Sequence, residues 1–147
     1  MTDSNHIIES LYPLDFRKED SERLGALLSQ RRSVALVGMK RVGISNFLRF
    51  FLNHRDIAKT YLRGGNHFFI PVDLNDLVER ETFPFWVLTL KRIADTTEGS
   101  DLPESIKKKV SDYFLDSIQS QDLFLTIDSV RKSLSALSDA GFLPTIF

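Results

Sequence analysis

A chain of 147 residues with 42% hydrophobic and 27% charged residues has the size and composition of one globular domain with a real core. A net charge of −1 supplies no basic field for nucleic acid, and the absence of cysteine excludes disulfides and thiolate metal sites while suiting a reducing cytoplasm. The apolar runs are too short for a signal peptide or a membrane span, so neither membrane nor nucleic acid is an expected partner.

Residues 1–15 read as a leader and residues 16–147 as one domain. A first helix is predicted over 18–30, where Leu24, Leu27 and Leu28 follow helical spacing. Ser33-Val34-Ala35-Leu36-Val37 is a short continuous apolar run, the pattern of a strand buried on both faces of a parallel sheet. Residues 46–54 carry Phe47, Leu48, Phe50, Phe51 and Leu52 and read as a deeply buried helix. Gly64-Gly65-Asn66 is turn chemistry. Residues 67–73 predict a second strand, and Pro71, which has no N–H to donate, places it at or near a sheet edge. A helix over 83–96 has Pro84 in its first turn. Pro103 opens another helix to about residue 119, with Lys107, Lys108 and Lys109 on a solvated face and Ile106, Val110, Tyr113, Phe114 and Ile118 on the apolar one.

Two readings compete over residues 121–139. Leu123-Phe124-Leu125-Thr126-Ile127-Asp128 has the outline of a Walker B strand, apolar residues followed by an acid. Yet Leu123, Ile127, Val130, Leu134 and Leu137 recur at steps of four and three, a single helical stripe. The stripe predicts a helix with Asp128 on its outer face, stopped by Gly141. Residues 142–147 then begin a last strand. Strands alternating with helices predict an α/β fold, a three-layer parallel sheet with flanking helices, incomplete at the C-terminus.

Gly38-Met39-Lys40-Arg41-Val42-Gly43-Ile44-Ser45 carries the candidate chemistry. Two glycines separated by four residues, with a hydroxyl two further on, match a phosphate loop between a strand and a helix. Glycine lets the backbone bend tightly enough to turn its N–H groups inward as an anion nest, and the helix N-terminus adds partial positive charge. The Ser45 hydroxyl stands at the magnesium position. The lysine position holds Ile44, which removes a charge-assisted contact to phosphate worth about 1.5–3 kcal/mol. Lys40 and Arg41 lie within the loop as replacement cations. On the alternative reading, the glycines and Ser45 serve only as turn and helix cap.

Val34 to Leu52, taken with this loop, resembles the first strand, phosphate loop and helix of archaeal-type ATPases in the STAND and AAA+ branches of P-loop NTPases. That family often has Gly-x-Arg-Arg-x-Gly-Lys-Ser, and Lys40-Arg41 stands at its basic pair. Residues 16–28 are similar to the family's lead-in helix beside the adenine, and Phe68-Phe69-Ile70-Pro71-Val72-Asp73-Leu74 is similar to its second strand. The resemblance implies the N-terminal portion of a P-loop NTPase domain with ATP and Mg2+ as cofactors. It places the nucleotide on Gly38, Met39, Lys40, Arg41, Val42, Gly43, Ile44, Ser45 and Asn46, and the metal on Ser45. It also puts the magnesium-binding and catalytic acids beyond Phe147. With Ile44 in the lysine position, the chain alone is expected to bind nucleotide weakly and to turn over negligibly. The implied function is an ATP-dependent switch; the alternative is a degenerate, non-catalytic P-loop scaffold or protein-interaction module. A small kinase fits less well, because no acceptor site is visible.

Other residues carry less. Asp73, Asn75 and Asp76 close a predicted strand, where a ligand role competes with turn capping. His6, His54 and His67 share no metal-ligand spacing. The residues after Gly43 lack the final glycine of a nucleophile elbow. Phe83, Phe85 and Trp86 read as core.

Overall fold

The computed structural model describes residues 7–147, so His6 and the start of the leader lie outside the described residues. The chain divides after Gly64 into two compact units.

The first unit is helical. After a 3-10 turn (Ile8–Leu11) come α1 (Lys18–Ser29), α2 (Ile44–Asn53) and the short α3 (Ile57–Tyr61). The Phe-rich sequence of α2 buries one stripe, Phe47, Phe50 and Phe51, as 3.6-residue spacing requires. Leu24 and Leu28 of α1, Ile57 of α3 and Leu62 complete the buried set. Full burial of Phe50 and Phe51 contributes about 1.5–3 kcal/mol each. Phe16 packs edge-on against Phe50, with centroids 5.2 Å apart. Gly25 lets α1 approach α3 closely: a Cβ there would collide with the carbonyl oxygen of Tyr61.

In the second unit, β1 (Asn66–Ile70) leads into α4 (Thr82–Glu98), α5 (Glu104–Ser120), α6 (Leu123–Asp139) and β2 (Phe142–Ile146). β1 and β2 pair in parallel, Asn66 opposite Phe142 and Ile70 opposite Ile146. Beyond the strands, Phe147 N–H donates to the Ile70 carbonyl at 2.9 Å and Val72 N–H donates to the Phe147 carbonyl at 2.8 Å. Strand alternation then turns the nitrogen of Pro144 away from β1, so its missing N–H costs this ladder nothing. The core joins Ile70 to Leu90, Ile93, Leu102, Val110, Val130 and Leu137, with Trp86 and Phe114 packed against it. Small hydroxyl residues sit where these helices face one another. Thr89, Thr97, Ser117 and Thr126 are buried, and each hydroxyl donates to the carbonyl four residues earlier at 2.7–2.9 Å. That satisfies each of these four hydroxyls within its own helix, whereas the buried Ser133 hydroxyl of α6 has no hydrogen-bond partner among the described residues.

The helix predicted over 123–137 is present as α6, and Asp122 caps it by accepting the Leu125 N–H at 2.8 Å. Asp128 lies within that helix, paired with Lys132 at 3.0 Å and Arg131 at 3.5 Å, and the bond to Asp128 raises the Lys132 pKa. It is not a Walker B acid at a strand end. Ile118, expected on the apolar face of α5, is exposed.

The expected α/β architecture is overturned. Helix dominates, and among the described residues the sheet has two strands, not the central layer of a three-layer P-loop fold. The largest departure is at residues 33–37. They form no helix or strand and make no backbone hydrogen bond among the described residues, and the side chains expected in a core are open, Leu36 at 40% exposure and Val37 at 92%. Apolar character alone does not make a strand, because the ladder needs a second chain segment. Among the described residues no helix is long and apolar enough to cross a membrane.

Candidate functional site

The loop predicted from the glycine spacing lies wholly in the first unit, between residues 33–37 and α2. The chain turns at residues 39–42, where Val42 N–H donates to the Met39 carbonyl at 3.4 Å. Arg41 (φ 70°) and Gly43 (φ 79°) both adopt left-handed backbone. Glycine takes this conformation freely at 43, whereas Arg41 bears a cost of about 1–2 kcal/mol. Gly38 lies under two side chains. A Cβ there would lie 2.8 Å from Ile44 Cδ1 and 2.8 Å from Val42 Cγ2, because those two side chains fold back over it.

Gly43 is the N-cap of α2. Its carbonyl accepts the Phe47 N–H at 3.0 Å, but it offers no side chain to the first turn. The first-turn residues Ile44, Ser45 and Asn46 include no acid, and their N–H groups have no acceptor among the described residues. α6, with its Asp122 cap, shows the closed alternative. Uncapped N–H groups at the positive end of a helix are an electrostatic invitation to an anion. In front of them lies an open cavity of about 450 Å3 lined by residues 39–46. The Lys40 and Arg41 side chains are exposed and make no ion pair among the described residues, so both cations are available there. Ser45 is exposed in the first turn of α2.

Sequence reasoning placed Arg17 only in the lead-in helix. Its guanidinium in fact reaches the loop. Nη1 donates to the Val42 carbonyl at 3.0 Å and to the Gly43 carbonyl at 3.3 Å, while Nε donates to Asp20 Oδ2 at 2.7 Å. The same group stacks 5.2 Å from the centroid of Phe47. No local pattern announces a contact across 25 residues. Beside it a second cavity, about 310 Å3, has apolar walls from Leu24, Leu27, residues 34–37, Ile44 and Phe47, with Arg17, Asp20 and Arg23 at its polar side. The exposed Leu36 and Val37 thus border a hollow rather than fill a core.

The remaining candidates are structural. Asp73 accepts the Asn75 N–H at 2.9 Å, capping a 3-10 turn, and Asp76 pairs with Arg92 at 2.5 Å. The His54 ring accepts the Asp56 N–H at 3.1 Å. Among the described residues no group of three or more His, Cys, Asp or Glu side chains is gathered where it could hold a metal ion. No protein-family model, curated protein or solved structure matches the chain.

Proposed function

We propose that the Gly38-to-Ser45 loop binds the phosphates of ATP with magnesium, and that the chain is the binding part of a nucleotide-dependent switch. The observation that carries this reading is the uncapped first turn of α2 behind a left-handed Gly43, with two cations beside it that make no ion pair among the described residues. The backbone N–H groups of Ile44, Ser45 and Asn46 would receive phosphate oxygens, with Lys40 and Arg41 adding charge from the loop. Magnesium, when bound, neutralises phosphate charge; Ser45 Oγ would hold it, and phosphate and water oxygens would fill the remaining positions that its octahedral preference demands. The apolar hollow beside the loop suits a planar base. Residence in the ATP-rich cytoplasm accords with the cysteine-free sequence. Hydrolysis needs a positioned water and charge stabilisation that Ile44 and the described acids do not provide.

A second reading has its own observation. Ile44 and Val42 close an apolar lid over Gly38, which suits a degenerate loop kept as a scaffold or protein-interaction module.

Calorimetric titration with ATP and magnesium, paired with a phosphate-release assay, separates the two. The expected result is weak binding without turnover. Ile44→Lys should bind about tenfold more tightly, equivalent to about 1.4 kcal/mol, again without turnover. No gain from the lysine would leave the loop a structural turn, and robust turnover by the unmodified chain would refute the switch as described.

A further inference from the structure

We propose that Arg17 is the positioning residue of this loop: by holding the carbonyls of Val42 and Gly43 it turns the next two peptide N–H groups toward the phosphate side. The inference rests on the nucleotide reading and deepens it. Across a trans peptide the C=O and N–H point in opposite directions. With the Val42 carbonyl drawn to Arg17 Nη1, the Gly43 N–H faces away from the guanidinium. With the Gly43 carbonyl shared between Arg17 and the Phe47 N–H, the Ile44 N–H faces away as well. One side chain thereby fixes both peptides that join the loop to α2.

The surroundings of Arg17 assign it to this task rather than to phosphate contact. Its charge is met by Asp20, with Nη2 to Oδ2 at 2.7 Å, and its plane rests over Phe47. The guanidinium therefore lies on the carbonyl side of the loop. Its backbone takes a left-handed φ of 47°, a conformation non-glycine residues adopt only when their surroundings impose it. Nη1 alone donates to both carbonyls while Nε and Nη2 hold Asp20, and one compact ammonium does not reproduce that division of donors between the carboxylate and the loop, so the arrangement is specific to arginine.

The test compares Arg17→Ala and Arg17→Lys with the unmodified chain in two titrations, ATP with magnesium and inorganic tripolyphosphate. The Gly43 and Ile44 amide resonances are followed in parallel, and melting checks the fold. Arg17→Ala should weaken both ligands about tenfold, the low end of what losing an outer-shell partner costs at metal sites. It should also shift both amides before any ligand is added. Arg17→Lys should resemble Arg17→Ala, and millimolar guanidinium should restore binding to the alanine variant. Affinity retained by Arg17→Lys would reduce Arg17 to a long-range charge and overturn the proposal. Unchanged affinity in Arg17→Ala, even with a lowered melting temperature, would overturn it too, leaving a structural role. If the unmodified chain binds neither probe, the nucleotide reading fails and takes the proposal with it.

Discussion

Residues 33–37 and 142–146 are both short apolar runs of the kind that predicts a parallel strand, yet they end differently. The second run lies against β1 in a regular ladder, and its side chains are partly covered by the helices of its unit. The first forms no regular element, is unpaired among the described residues and is open to solvent at Leu36 and Val37. A helix satisfies its own backbone, whereas a strand is a property of two segments at once. A short apolar run therefore becomes a strand in one place and an irregular connection in the other. The difference also touches function, because the unpaired run leads directly into the candidate loop.

The sharpest way to break this comparison is a matched pair of truncations. Ile70→Ala removes a fully buried side chain of β1 and should cost about 2–5 kcal/mol. Val37→Ala removes one that is 92% exposed and should change stability by less than about 0.5 kcal/mol. Fluorescence of Trp86, the single tryptophan, reports denaturant unfolding of the second unit, and amide exchange along α2 reports the first. The amides of 34–38 should exchange fast and those of the β1–β2 ladder slowly. A costly Val37→Ala with slow exchange at 34–38 would mean that the first run is a buried strand after all.

A second substitution asks what holds the first unit together if that run does not. Gly25→Ala drives a methyl into the Tyr61 backbone, where α1 passes α3, and should cost about 1–3 kcal/mol, as overpacking does elsewhere. Thermal unfolding followed by far-UV circular dichroism measures it. An unaffected melting temperature would show that the α1–α3 approach yields easily and does not carry the unit.

These contrasts also mark how far the sequence was legible. Helix α6 could be read because five apolar residues form one stripe and override the Walker-like outline around Asp128. The runs of β1 and β2 could be read as strands because glycine turns bound them and Pro71 is compatible with a sheet edge, whereas the tolerance of Pro144 became clear only from the observed register. The three-layer sheet could not be read correctly, because nothing in Val34-Ala35-Leu36-Val37 says whether a partner segment exists. The loop boundaries followed from Gly38, Gly43 and the start of α2, whereas the fold-back of Ile44 over Gly38 is a side-chain event invisible to spacing. Arg17 escaped notice because its contacts are long-range and its own backbone departs from the helical region. Helix α3 is too short to show a periodic stripe.

A further contrast concerns how the segment before α1 is tied to that helical frame without help from residues 33–37. The Tyr61 hydroxyl, at the end of α3, donates to the Leu14 carbonyl at 2.7 Å. Burial raises its pKa, and the carboxylates of Glu22 and Asp15 raise it further. All three influences favour the neutral phenol in the folded chain. The folded pKa therefore lies above the unfolded value of about 10. The resulting stabilisation is complete below that unfolded value and is lost as pH rises through the folded one. Tyr61→Phe removes the bond and the titration together. At neutral pH it should cost about 0.5–1.5 kcal/mol, the net worth of an ordinary hydrogen bond. Above about pH 10 the gap between the two proteins should narrow, because the unmodified chain loses what the variant never had. Urea unfolding followed by circular dichroism, repeated across the alkaline range, tests this directly. Parallel decline of both proteins would show that the phenol is indifferent to folding and that the lead-in is held by Phe16 against Phe50 instead.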